Sequence, residues 1–253
     1  MKKVMLIILA GFILALTIST VVAQEDKICA IYFTGVGCPH CAKTDPVVIK
    51  ELTNEYNNLA IIEYEIYQTR GNAPLLLNYS FKYKTGEGIP LVIFSPSDYI
   101  IGDEPIIKNA KEKLNELNNG NDCLTLNGAI PFESLNLNTL PGYPKIWADG
   151  RVLIKTGKDN LPSNDTLMKN LLFSNNLSEI ISSNNLENIK PFPVHLSGQD
   201  VYFTNAVKIG NWVMEYGMKE NSSEEKNTGY LYLLAVIIVL FVIIILLYKV
   251  VKK

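Results

Sequence analysis

The chain has 253 residues, 48% of them apolar and 19% charged, with four cysteines, two histidines and a formal charge of −2. That length allows one large or two small domains and excludes a large multidomain machine, while the apolar content excludes a disordered chain. The slight acidity argues against a general nucleic-acid binder, so no nucleic-acid partner is expected.

A mean hydropathy of +0.14 is high for a soluble enzyme, and the excess sits at the two ends. Lys2 and Lys3 precede an apolar run from Val4 to Leu16, followed by small residues up to Ala23 and a polar onset at Gln24. Those are the parts of a secretory signal peptide over residues 1–23, with an uncleaved signal anchor as the alternative. Either one exports the residues after it.

Ile28 to Thr34 is a β-rich apolar run, predicted to be a buried strand, and Gly35-Val36-Gly37 is a flexible turn. Cys38-Pro39-His40-Cys41 comes next, and residues 42–56 favour a helix with an apolar stripe of Val47, Val48, Leu52 and Tyr56. Cys38 therefore lies at a helix N-terminus, where unpaired backbone N–H groups and the helix dipole favour a thiolate; a protonated His40 adds to that effect. Cys41, one turn on, can reach the Cys38 sulfur. A strand over 60–67, a short helix over 73–81, Gly88-Ile89-Pro90, a strand over 91–94, a hairpin strand over 99–102 and a helix over 105–117 complete this part.

Cys38-Pro39-His40-Cys41 resembles the active site of thioredoxin-fold thiol-disulfide oxidoreductases, and Pro-His between the cysteines is similar to exported oxidants of the DsbA type. Pro46 stands where that family carries a kink proline, and Gly88-Ile89-Pro90 looks like its cis-proline loop. The resemblance implies an α/β thioredoxin-like fold over residues 24–120, a central sheet flanked by helices. It also implies a redox-active Cys38–Cys41 disulfide in place of any cofactor, with Cys38 as nucleophile, Cys41 as resolving thiol and His40 as thiolate stabiliser. Pro39, Ile89 and Pro90 would face substrate. One position departs from the family: the buried acid six residues before the first cysteine is replaced by Tyr32, which leaves Glu63 or Glu65 as candidates for proton handling.

Other readings of the cysteines stay open. Cys38 and Cys41 could form a static disulfide, or join Cys29 and Cys123 around zinc, although such sites usually present two closely spaced ligand pairs. Cys29 and Cys123 could form a structural disulfide or remain two free thiols. His195 lies in an alternating run with no partner motif and reads as a packed or surface side chain.

Residues 121–217 predict a smaller α+β accessory domain. Lys145 to Ala148 and Arg151 to Lys155 flank Asp149-Gly150, a strong hairpin signal. A helix is expected over 166–181, then strands over 194–196, 200–203, 206–209 and 212–216, with Tyr202, Phe203, Trp212 and Tyr216 as core residues. Residues 218–228 form a polar stalk, and Tyr230 to Tyr248 carries no charge, long enough for a membrane helix over 229–249. Lys249, Lys252 and Lys253 mark a cytoplasmic tail over 250–253.

The expectation is thus a single-pass type I membrane protein whose extracytoplasmic part oxidises or isomerises cysteines of exported proteins. Its partners would be those proteins and a membrane redox partner. The alternatives are a thiol reductase for cytochrome or metal-centre maturation and a redox-inert protein-binding module.

Overall fold

The computed structural model describes residues 26–117, 120–157 and 163–219. The segments read as signal peptide and membrane helix, the cytoplasmic tail, and the stalk from residue 220 onward lie outside the described residues. No helix among the described residues is long and apolar enough to cross a membrane.

The fold is α/β, with a nine-stranded mixed sheet and five helices among the described residues. In chain order, β1 is Ile28–Thr34 and α1 spans residues 41–55, followed by β2 (Leu59–Glu65), α2 (Ala73–Tyr83), β3 (Leu91–Ser95), β4 (Asp98–Ile101) and α3 (Asp103–Glu116). Next come β5 (Cys123–Thr125), β6 (Gly128–Ile130), β7 (Lys145–Ala148), β8 (Arg151–Lys155), α4 (Asp165–Phe173) and α5 (Leu177–Ser183). The remaining strands are β9 (Glu187–Ile189), β10 (Val194–Leu196), β11 (Gln199–Val201), β12 (Phe203–Ile209) and β13 (Trp212–Met218). The main sheet runs β4-β3-β1-β2-β7-β8-β13-β12-β9, while β5–β6 and β10–β11 are separate two-stranded hairpins.

β1 lies inside the sheet between β3 and β2, and all seven of its residues are buried. A continuous apolar run is what a strand covered on both faces requires. Because successive side chains alternate, Ile28, Ala30 and Tyr32 join one core with α1, α3 and the β10–β11 hairpin, while Cys29, Ile31 and Phe33 join another with α2 and α4. β2 lies parallel to β1, with Ile28 opposite Leu59 and Thr34 opposite Glu65, and β3 lies antiparallel on the other side.

The sheet does not stop at residue 120. β7 pairs antiparallel with β2, and β8, β13, β12 and β9 continue the same sheet, so residues 121–217 contribute strands and helices to a layer shared with the preceding residues. Their helical segment is also divided: α4 ends before Ser174, whose hydroxyl accepts the Asn176 N–H, and α5 begins at Leu177. Polar turn chemistry from Ser and Asn outcompetes helix there.

α1 is α-helical over Cys41–Asp45, π-helical over Pro46–Glu51 and α-helical again over Leu52–Glu55. Pro46 has no N–H to donate to the carbonyl four residues earlier, and the helix widens from that point.

Cys29 and Cys123 form a disulfide with Cα atoms 5.0 Å apart, joining β1 to β5. The Asn121 side chain accepts the Cys29 N–H at 2.6 Å and donates to the Cys29 carbonyl at 2.9 Å, so the returning chain is hydrogen-bonded to β1 just before the bridge. A cross-link closing a loop of this length restricts the unfolded chain by about 2–5 kcal/mol. The double variant Cys29→Ala/Cys123→Ala should therefore unfold more than about 5 °C lower in a thermal melt; an unchanged melting temperature would contradict this role for the bridge.

Candidate active site

The site grows from the C-terminal end of β1. Gly37 takes a φ of +91°, a left-handed conformation that glycine adopts without steric cost, and the Cys38 N–H donates to the Gly35 carbonyl at 3.0 Å. A side chain at Gly35 would meet Tyr67 at 2.8 Å and Ile89 at 2.9 Å, so only glycine lets those two side chains close over the turn.

Cys38 and Cys41 are joined as a disulfide, with Cα atoms 5.2 Å apart. Cys38 is 6% exposed and Cys41 fully buried, so the small exposed part of the pair belongs to Cys38. Regular helix starts at Cys41, one residue before the expected start at 42, and Cys38 occupies the turn before it with its carbonyl accepting the Ala42 N–H at 3.0 Å. The Cys41 N–H points at the Cys38 sulfur, 3.1 Å away. A free helix-start N–H directed at sulfur favours its anionic form. With Cys29 bonded to Cys123, all four cysteines are engaged in disulfides.

One turn beyond Cys41, at the same face of α1, Asp45 is fully buried. Its Oδ1 accepts from the Tyr32 hydroxyl at 2.6 Å and the Thr34 hydroxyl at 2.7 Å, and its Oδ2 accepts from the Ser197 N–H at 2.7 Å. Burial pushes the Asp45 carboxyl up to about 6; the Tyr32 and Thr34 hydrogen bonds hold it down, and the negative charge of Glu63 adds to the rise. This acid escapes a reading based on strand positions because it sits on the helix. Its sequence signal is a lone carboxylate four residues after Cys41, on the face that continues through Val48, Ile49 and Leu52.

The two glutamates expected to handle protons are otherwise engaged. Glu63 is buried, with Oε1 accepting from Lys145 at 2.7 Å and Oε2 from the Trp147 indole at 2.5 Å. Burial pushes the Glu65 carboxyl up, but the backbone N–H groups of Gln68, Thr69, Val36 and Tyr67 outweigh it and hold the carboxyl below its ordinary value. Glu65 thereby ties the turn before Cys38 to the loop after β2.

His40 is 65% exposed, and its Nδ1 lies 3.1 Å from Asp103 at the start of α3. Lys43 reaches the other Asp103 oxygen at 2.6 Å, and Lys43 followed by His40 keeps that carboxyl well below the usual carboxylate range. Pro39 is exposed beside them. The Ile89–Pro90 peptide bond is cis, and Pro90 is buried immediately before β3, whose Leu91 lies opposite Phe33. The structure thus brings Ile89 and Pro90 to the end of β1 from which Cys38 departs. His195 stands apart on the β10–β11 hairpin, exposed and 2.8 Å from Asp200.

No protein-family model, curated protein or solved structure matches the chain.

The raised Asp45 value gives its contribution to stability a definite sign. In the unfolded chain an aspartate loses its proton near 3.8, whereas folded Asp45 keeps it to about 6, so the folded state holds the extra proton and stability falls as pH rises through that window. Relative to their difference at pH 4, Asp45→Asn should gain on the wild type by up to roughly 3 kcal/mol by pH 7. Urea denaturation at several pH values checks this; parallel stability curves would contradict it.

Proposed function

We propose that this protein is a thiol-disulfide oxidoreductase with a thioredoxin-like arrangement around Cys38 and Cys41, held on the extracytoplasmic side of a membrane and acting on cysteines of exported proteins. The observation that carries the reading is the asymmetric pair itself. The sulfur of Cys38, the less buried of the two, faces a helix-start N–H, Cys41 is fully buried, and a carboxyl raised to about 6 follows one turn later. The placement of Ile89 against Gly35 at the neighbouring strand end supports the same reading, as does the change to π-helix at Pro46. A second, structural disulfide agrees with an oxidising compartment.

In the oxidising direction a substrate thiolate attacks the Cys38 sulfur. A substrate–Cys38 bond forms, the Cys38–Cys41 bond breaks, and Cys41 leaves as a thiolate that takes the Asp45 proton. The substrate's second thiolate then attacks the substrate sulfur of the mixed disulfide and releases Cys38 as a thiolate. Substrate loses two electrons and the Cys38–Cys41 pair gains them; a membrane redox partner withdraws them again by the same exchange. In the reducing direction Cys41 gives its proton to Asp45 and resolves the mixed disulfide.

The N–H directed at Cys38 stabilises its thiolate, which makes the oxidised pair easier to reduce and favours oxidation or isomerisation of clients. Exposed Pro39, together with Tyr67 and Ile89, which close over Gly35, would face a client at Cys38, with buried Pro90 behind Ile89. Oxidative refolding of a reduced disulfide protein, with glutathione disulfide as terminal oxidant, tests the reading. Cys38→Ser should lower turnover by at least ~100-fold, and Cys41→Ser should accumulate mixed disulfides stable on non-reducing gels. Wild-type turnover in both variants would overturn it and favour a redox-inert binding module.

A further inference from the structure

The β10–β11 hairpin reaches the active-site helix from a distant part of the chain, and its tip makes two different contacts there. Ser197 is 1% exposed. Its hydroxyl donates to the Cys38 carbonyl at 2.7 Å, and its backbone N–H donates to Asp45 Oδ2 at 2.7 Å. Gly198 follows with a φ of +82°, and a side chain there would meet the Ala42 β-carbon at 2.9 Å, so the turn lies directly against the first turn of α1. Val194, Leu196 and Val201 bury their side chains in the core that also holds Val48, Ile49 and Leu52. At the hairpin base the Phe192 N–H donates to buried Glu215 at 2.9 Å. The contact is therefore built into the fold and is not a surface loop resting on the site.

We propose that Ser197 is a positioning residue for thiol-disulfide exchange, fixing the Cys38 peptide group with its hydroxyl and the Asp45 carboxylate with its backbone N–H. The inference rests on the oxidoreductase reading and extends the active site to residues 194–201. Two other donors of the Asp45 cluster, Tyr32 and Thr34, lie on β1 and bind Oδ1; the Ser197 N–H is the donor on Oδ2. A donor aimed at a carboxylate favours its charged form, the one that accepts the Cys41 proton. The Cys38 carbonyl accepts from both Ala42 and Ser197, which keeps the Cys38 sulfur in register with the Cys41 N–H when the disulfide opens.

The titratable groups around Asp45 are few. Tyr32 faces it from β1, and Glu63 acts on it from β2 with Lys145 of β7 paired to that glutamate. The hairpin's own charged pair, His195 and Asp200, is solvent-exposed, with His195 57% exposed. Cys41 itself lies one turn before Asp45 on α1.

The experiment uses the full chain and glutathione as the probe. Ser197→Ala keeps the N–H and loses the hydroxyl. It should shift the dithiol–disulfide equilibrium against glutathione by about three- to tenfold toward the disulfide, ~15–30 mV, with Ser197→Thr restoring it. Gly198→Ala forces the turn off α1 and withdraws the N–H, so the pH midpoint of the Cys41 resolving step should rise by about one unit, a tenfold rate loss below the midpoint. Far-ultraviolet circular dichroism of each variant reports that it is folded. Folded variants with the wild-type equilibrium and pH midpoint would overturn this inference alone. A wild-type protein that does not exchange with glutathione would overturn the oxidoreductase reading and this inference with it.

Discussion

Burial of β1 on both faces is the constraint on which the other features depend. Seven consecutive buried residues cannot share one environment, so the pleat sends Tyr32 and Thr34 toward α1 and Cys29 toward α2. The first set supplies two of the hydroxyls that hold Asp45, and the second supplies one end of the structural disulfide. The same strand ends in the turn that delivers Cys38. A one-residue slip in its register would exchange these faces and separate the carboxylate from its donors.

The polar cluster beneath α1 is a compromise between solvation and function. An aspartate away from water is costly unless its oxygens are satisfied, and Asp45 has donors from two strand side chains and one distant backbone N–H. Burial still dominates, leaving a carboxyl that titrates near 6. A group in that range can both take and return a proton at neutral pH, whereas Glu65, saturated by backbone N–H groups, stays charged. Two buried carboxylates thus titrate in opposite directions through the number and kind of donors around them.

Much of this architecture is legible in the chain. The apolar run at 28–34, the stripe of α1 and the Asp149-Gly150 turn specify their elements through periodicity and turn chemistry, and β7 and β8 fall at Lys145–Ala148 and Arg151–Lys155. Both turn residues take positive φ, as that hairpin requires. The three-residue strands β5, β6 and β9 are too short to impose a period, and the continuity of the sheet through the β2–β7 pair is a long-range fact with no local signature. The cysteines of the site announce themselves by spacing. Asp45 does not, because its importance depends on Tyr32, Thr34 and a serine 152 positions away. Glu63 and Glu65 are the natural candidates by strand position, but an indole, a lysine and a set of backbone N–H groups engage them instead.

On the proposed reading the two disulfides differ in role, Cys29–Cys123 holding the fold and Cys38–Cys41 exchanging. Equilibrating the full-length protein in glutathione buffers, followed by alkylation and mass counting of each cysteine, tests that separation most directly. Cys38 and Cys41 should become alkylated together with a midpoint between about −270 and −120 mV, while Cys29 and Cys123 stay joined until below about −300 mV. A Cys38–Cys41 bond that opens only below about −300 mV, together with the other, would contradict this division of roles.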